Sequence, residues 1–387
     1  MALRRAERIA GRITALGHRL RIELHRQRHT LARQVHFEHL DLDDVTGLDH
    51  LARIVPAAAG GPKGLALVPL DQYLFGEWFG ATSHHVHLLG ASIGAWRMAC
   101  ACLPDPVAAF AQMAHDYIHQ TYEHAPGKLP TRRHVTEVFG ANLRHRLTPC
   151  ATELLAHPRY RLHVFTSRGR HLLRREGRAL SSVSNPIAHL GAFAANAVSR
   201  RAMSGFWERV VFSDAREPLP FKLHDYRTRH VPLTPDNLAL SVLASCSIPY
   251  WLDAVHDIPG APRGAYVDGG ITDYHLHLNY ASMTDGLVLY PHFQRSIVPG
   301  WLDKFFPHRH RATAMLANVV VLSPNPAWVQ GLPGAKLPDR DDFRRYGDAT
   351  AARIAAWTRA VAESERLRDE FAAAVAAGPA LDVQPLV

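Results

Sequence analysis

Cysteine is scarce in this chain: four residues in 387 (Cys100, Cys102, Cys150 and Cys246), with no CxxC pair among them. So few and so scattered, they exclude a disulfide framework and point to free thiols in a reducing, cytoplasmic compartment. Apolar runs of about 18 residues are also missing, so no segment is expected to span a bilayer. The N-terminus lacks the charged-then-apolar order of a secretory signal. The glycine-rich GGPKGL has neither the spacing nor the Lys-Ser/Thr ending of a phosphate loop. Neither cofactor nor metal is expected.

Acidic residues are short in one place. Residues 1 to 33 hold nine arginines (Arg4, Arg5, Arg8, Arg12, Arg19, Arg21, Arg26, Arg28 and Arg33) against Glu7 and Glu23, most of the chain's net charge of +9. Ile9, Ile13, Leu16, Leu20 and Leu24 recur at three- and four-residue steps, which predicts an amphipathic helix with a basic face over an arm of residues 1–45. Such a helix suits peripheral contact with an anionic membrane surface. Packing of its stripe on the main domain is the alternative, and Gly11 and Gly17 weaken it as an isolated helix. Neither aromatic interleaving nor zinc-finger spacing accompanies the charge, so no nucleic acid partner is expected.

Beyond the arm, short apolar or β-branched runs alternate with helical patterns: ARIVPAA, HHVHLLG, YRLHVFTS, RVVFSD, GLVLY and NVVVLS. That alternation predicts an α/β fold whose mainly parallel sheet is covered on both faces. The helical, proline-punctuated stretch after Leu103 reads as an insertion or cap, bounded at 103–202. Residues 331–387 read as a surface connection followed by a long amphipathic helix from Asp341 to about Ala377, carrying Ile354, Trp357, Val361 and Leu367. Trp207, Trp251 and Trp301 read as core or cap aromatics, and Cys100 and Cys102 as packing residues.

Within this frame VHLLGASIGAW carries a G-x-S-x-G elbow: strand, sharp turn through Ser92, helix. Such a turn crowds its neighbours against backbone, so Gly90 and Gly94 avoid collisions while Ser92 is pushed outward at a helix N-terminus. A serine nucleophile needs an oxyanion site and a base. Upstream, AAAGGPKGL places Gly60, Gly61 and Gly64 around Lys63, where converging N–H groups could hold a developing negative charge; an ordinary strand-to-helix turn is the plainer reading. Downstream, RGAYVDGGITDYH ends a strand-like run at Asp268, just before Gly269 and Gly270. Carboxylates before Gly-Gly are commonly turn makers.

Taken together and in this order, the glycine-rich run, GASIG and the D-G-G segment resemble the patatin-like phospholipase family, as does ASCSIPYWLDAV (residues 244–255), which precedes the aspartate. The resemblance spans about residues 55 to 280 and implies a three-layer α/β/α catalytic domain over 46–330. It implies a Ser-Asp dyad with Ser92 as nucleophile and Asp268 as base, and oxyanion donors at Gly60 and Gly61. Lys63 stands where the family has arginine. Ala59 replaces the family's third glycine, and Pro62 has no N–H to donate. The activity implied is hydrolysis of carboxylic esters of lipids, through an acyl-enzyme.

Three other readings stay open on the sequence. An α/β-hydrolase triad would recruit His275, His277 or His292, all of which follow Asp268. A metal hydrolase would use the alternating pairs His85, His87 and His275, His277. A lipid-binding protein without catalysis would keep the fold and use the basic arm.

Overall fold

The structure, a computed structural model, describes residues 20–24, 48–125, 127–175, 181–377 and 383–386. The chain forms an α/β fold with a central, mostly parallel sheet between layers of helix and turn, a three-layer α/β/α arrangement. In chain order the strands are β1 (Leu20–Leu24), β2 (Ala52–Ala57), β3 (Val86–Ala91), β4 (Tyr160–Gly169), β5 (Trp207–Ser213), β6 (Thr228–Pro232), β7 (Val255–His256), β8 (Ala265–Val267), β9 (Leu287–Pro291), β10 (Val319–Pro324) and β11 (Val383–Pro385). Their order across the sheet is β11-β1-β10-β9-β2-β3-β4-β5-β6, with β8 on β4 and β7 on β8. All six runs singled out above are strands: β2, β3, β4, β5, β9 and β10.

The central strands read as continuous apolar runs because both of their faces are covered. Val55, Ala57, Val86, Leu88, Leu289 and Val320 enter one core cluster. Their neighbours Ile54, Leu89, Ala91, Val288 and Val321 enter the other. The first layer includes α1 (Val68–Gly76), α2 (Ile93–Ala101), α3 (Pro106–His119) and α4 (Arg132–Leu147). The remaining longer helices are α5 (Ser181–Val198), α6 (Pro235–Cys246), α8 (Asp341–Tyr346), α9 (Thr350–Glu363) and α10 (Glu365–Ala377), with one short turn, α7 (Gly270–Asp273). Inside the first layer Arg97 of α2 donates to both carboxylate oxygens of Asp71 on α1, at 2.7 and 2.8 Å, both side chains fully buried. This ion pair fixes the elbow helix against its neighbour.

Three expectations change. Leu20–Leu24 is a strand, antiparallel to β10 from Leu20↔Pro324 to Leu24↔Val320, and not part of a helix. A four-residue spacing is also two strand periods, so Leu20 and Leu24 satisfy both. Ile9, Ile13 and Leu16 lie outside the described residues, as do the other arm arginines except Arg21. The 103–202 region is not one insertion, because β4, paired along its length with β3 and β5, runs through its middle. Helical cover lies on either side of β4 in the chain. The C-terminal helix is three, broken at Gly347, whose φ of 47° a side chain would resist, and at Ser364. Trp357, Leu367 and Phe371 are buried.

Candidate active site

The chain steps from β2 to β3 to β4 on one side of the sheet and reaches β9 and β10 on the other, so strand order reverses beside β2. Crevices form outside the carboxyl ends of strands at such a point. There the ends of β2, β3 and β8 deliver Gly60 and Gly61, Ser92, and Asp268.

Ser92 sits between β3 and α2 with φ 56° and ψ −129°, a conformation that costs on the order of 1–3 kcal/mol for a residue with a side chain. The flanking glycines allow it. A Cβ at Gly94 would stand 1.9 Å from the Ala57 carbonyl oxygen, and one at Gly90 would stand 2.3 Å from Ala95 Cα. The Ser92 hydroxyl donates to Asp268 Oδ2 at 2.6 Å, and the Gly270 N–H donates to Oδ1 at 2.7 Å. Two residues 176 positions apart thus meet in one buried pair. Burial pushes the Asp268 carboxyl up to about 6, although the Ser92 and Gly270 hydrogen bonds and the positive charges of Arg340 and Lys304 pull it down. Gly269 and Gly270 are also more than a turn: a Cβ would lie 2.1 Å from the Phe165 carbonyl oxygen at the first, and 2.7 Å from Ala59 Cβ at the second.

The link between nucleophile and carboxylate is the segment Ser245–Ser247, at the C-terminal end of α6. Ser245 Oγ accepts the Ser92 N–H at 2.9 Å and donates to the Phe165 carbonyl at 2.6 Å. The Ser245 and Ser247 carbonyls accept the N–H groups of Gly269 and Asp268 at 3.1 and 2.9 Å. One short stretch therefore sets the positions of both strand ends. Nothing local in ASCSIP announces this, since every partner is at least 20 residues away.

Of the glycine-rich run, Gly60 and Gly61 line a cavity shared with Ser92 and Asp268. Their N–H groups donate to no other group among the described residues, which leaves them available for an oxyanion. Lys63 and Gly64 turn away. The Lys63 ammonium stands over the Phe293 ring, 5.4 Å from its centre, beside a separate cavity, and a Cβ at Gly64 would press on Ile93 at 3.2 Å. Both lie on a 3-10 helix, Gly61–Leu67, with Pro62 in its first turn.

Ser92 lies where two cavities meet. The larger, about 490 Å³, is walled by side chains such as Val135, Phe139, Trp251, Leu252 and Phe343. The smaller, about 120 Å³, is lined by Trp207, Tyr250, Tyr274 and Trp301, among others. Both share Ile248 and Arg340 with Ser92. The three tryptophans read from sequence as core or cap aromatics all face this site. Arg340, half-buried just before α8, carries no sequence signal, because its neighbours along the chain form no motif.

No protein-family model matches this chain, and no curated protein matches it. The histidines proposed for a triad have other partners. His275 Nδ1 accepts the Val298 N–H at 3.0 Å, His292 Nδ1 accepts the Gln294 N–H at 3.1 Å, and His277 Nε2 is 3.2 Å from Thr313 Oγ1. Among the described residues none bonds to Ser92 or Asp268. Burial lowers all three, His277 to about 4 and His292 to about 3, so each is neutral at pH 7. The other histidine pair is elsewhere: His85 bonds Glu217, and His87 stacks on His163 with a 2.9 Å contact between ring nitrogens. Among the described residues no three His, Cys, Asp or Glu side chains converge on a metal position. Cys100 and Cys102 are buried and their thiols are pushed well up, which leaves them inert.

Proposed function

We propose that this chain is a serine hydrolase of lipid carboxylic esters, working through a Ser92–Asp268 dyad in the manner of the patatin-like phospholipases it resembles. The observation that carries the reading is the 2.6 Å hydrogen bond from Ser92 to Asp268 at the junction of two cavities. A serine hydroxyl is a poor nucleophile until a base takes its proton. Asp268, raised toward neutrality by burial, is a better base than an exposed aspartate yet still ionised at pH 7.

In the first step Ser92 Oγ bonds to the ester carbonyl carbon while its proton passes to Asp268. The oxyanion turns to the N–H groups of Gly60 and Gly61 and the first turn of α2. Collapse breaks the ester C–O bond, and the alcohol leaves with the proton from Asp268. Water, deprotonated by Asp268, then frees the acid from acyl-Ser92. The larger cavity has room for on the order of 16 groups of water size at about 30 Å³ each. A methylene is about that size, so the apolar walls suit a long acyl chain.

Among the described residues neither dyad residue has a histidine partner, which favours this reading over a triad. A fluorophosphonate probe tests it: labelling at Ser92, lost in Ser92→Ala, is expected, together with hydrolysis of long-chain esters. An unlabelled, folded wild-type protein would overturn the proposal.

A further inference from the structure

Helix α5 is apolar on both sides. Over residues 186–198 (PIAHLGAFAANAV) it carries no charged residue. Its inner face sets Ala188, Ala192 and Asn196 into the body, where Asn196 donates to the buried Asp303 at 2.9 Å. Its outer face is exposed: Ile187 is 64%, Leu190 68% and Val198 80% accessible. A helix on the surface of a water-soluble domain ordinarily turns charged residues outward. This one does the reverse.

The patch extends beyond the helix. The Tyr250 ring lies tilted against the His189 ring at 5.3 Å, Phe305 meets the Phe193 ring at 5.7 Å, and both Tyr250 and Phe305 are exposed, as is Leu172 in the turn before α5. Exposed cations lie on the segments around it: Arg174, Arg201 and Arg311. Among the described residues from 170 to 206 and from 299 to 313 the one acid is Asp303. That carboxylate is buried and held by Arg200 and Arg309 at 2.6 and 2.9 Å. A clustered apolar face with exposed arginines beside it fits an anionic lipid surface. No described helix is long and apolar enough to cross a membrane, so α5 would lie along the interface. The same helix lines the small cavity at Ser92 through His189 and Ala192, so the exposed face lies on the far side of a helix that walls the site.

We infer that the outer face of α5, with Leu172, Tyr250 and Phe305, docks on anionic lipid surfaces and presents the Ser92 crevice to them. This face is distinct from the N-terminal arginine arm. Lipid binding is measured without turnover, so it can fail while the hydrolase reading stands, and the reverse.

The test is co-sedimentation of the full chain with vesicles of equimolar phosphatidylglycerol and phosphatidylcholine, or of phosphatidylcholine alone. Wild type is expected to bind the anionic vesicles more strongly. The Ile187→Asp/Leu190→Asp pair is expected to lower partitioning at least about tenfold with an unchanged melting temperature. Ile187→Ser/Leu190→Ser gives a milder version should the aspartates disturb folding, and it is expected to fall between. Absence of wild-type binding to anionic vesicles, or binding undiminished in both pairs, overturns the inference; the second result would assign binding to the arginine arm. Light scattering showing a wild-type dimer that both pairs convert to monomer would assign the face to a second copy, and would also overturn it.

Discussion

Replacing Asp268 with Asn separates the catalytic role of the residue from its cost to the fold. The carboxyl has a folded value of about 6 against an ordinary 3.8, raised chiefly by burial. The native state therefore holds the proton more tightly than the unfolded chain. This group's contribution to stability is fully present below pH 3.8, declines as pH rises, and is gone above about 6. At about 1.4 kcal/mol per pH unit, the two-unit difference makes ionised Asp268 a cost of about 3 kcal/mol at pH 7. Asparagine keeps an oxygen for the Gly270 N–H and a donor for Ser92 Oγ, but carries no charge to desolvate. Asp268→Asn is thus expected to abolish ester hydrolysis and to raise unfolding free energy by up to about 3 kcal/mol at pH 7. The gain should vanish by about pH 4, where the wild-type carboxyl is protonated too. Urea unfolding of both proteins at the two pH values is the assay. An Asn variant no more stable than wild type at pH 7, or equally stabilised at both pH values, would refute the burial argument.

Two other outcomes follow from the same geometry. Because Asp268 acts as a base only when ionised, kcat/KM should climb with pH to a half-maximum near 6 and be about tenfold lower at pH 5 than on its plateau; a profile flat down to pH 5 would contradict the raised carboxyl. Ser245→Ala removes the acceptor of the buried Ser92 N–H, so a loss of about 1–3 kcal/mol in thermal or chemical unfolding is expected, together with a lower kcat; unchanged kcat and stability would remove Ser245 from its positioning role.

The sequence was most legible where chemistry and sterics fall on adjacent residues. Gly90, Ser92 and Gly94 form a local pattern because the elbow crowds its own neighbours. Asp268, Gly269 and Gly270 do so because Phe165 and Ala59 leave no room for a Cβ at the two glycines. The six core strands were legible since burial on both faces demands unbroken apolar runs. What stayed hidden depends on distant partners. Ser245 reaches back 153 positions to Ser92, and Arg340 arrives from beyond the resembling region. Lys63 and Gly64 were grouped with their glycine neighbours, but a 3-10 turn from Gly61 carries them away. Leu20 and Leu24 have a spacing compatible with helix and strand alike, and only the open edge of β10 decides between them.

The buried Arg209 anchors the turn that follows Asp268. It grips Asp273 of α7 at 2.5 and 2.7 Å and Asp225 at 2.9 and 3.1 Å, so the turn carrying Asp268 is bolted to β5 through a guanidinium with no route to water. Parting them would strand a charge in the interior, at about 3–5 kcal/mol. Breathing that admits a bulky ester must then come from the walls, through the stretch around Arg340 or the helix beneath Ile187, while the reacting pair stays still.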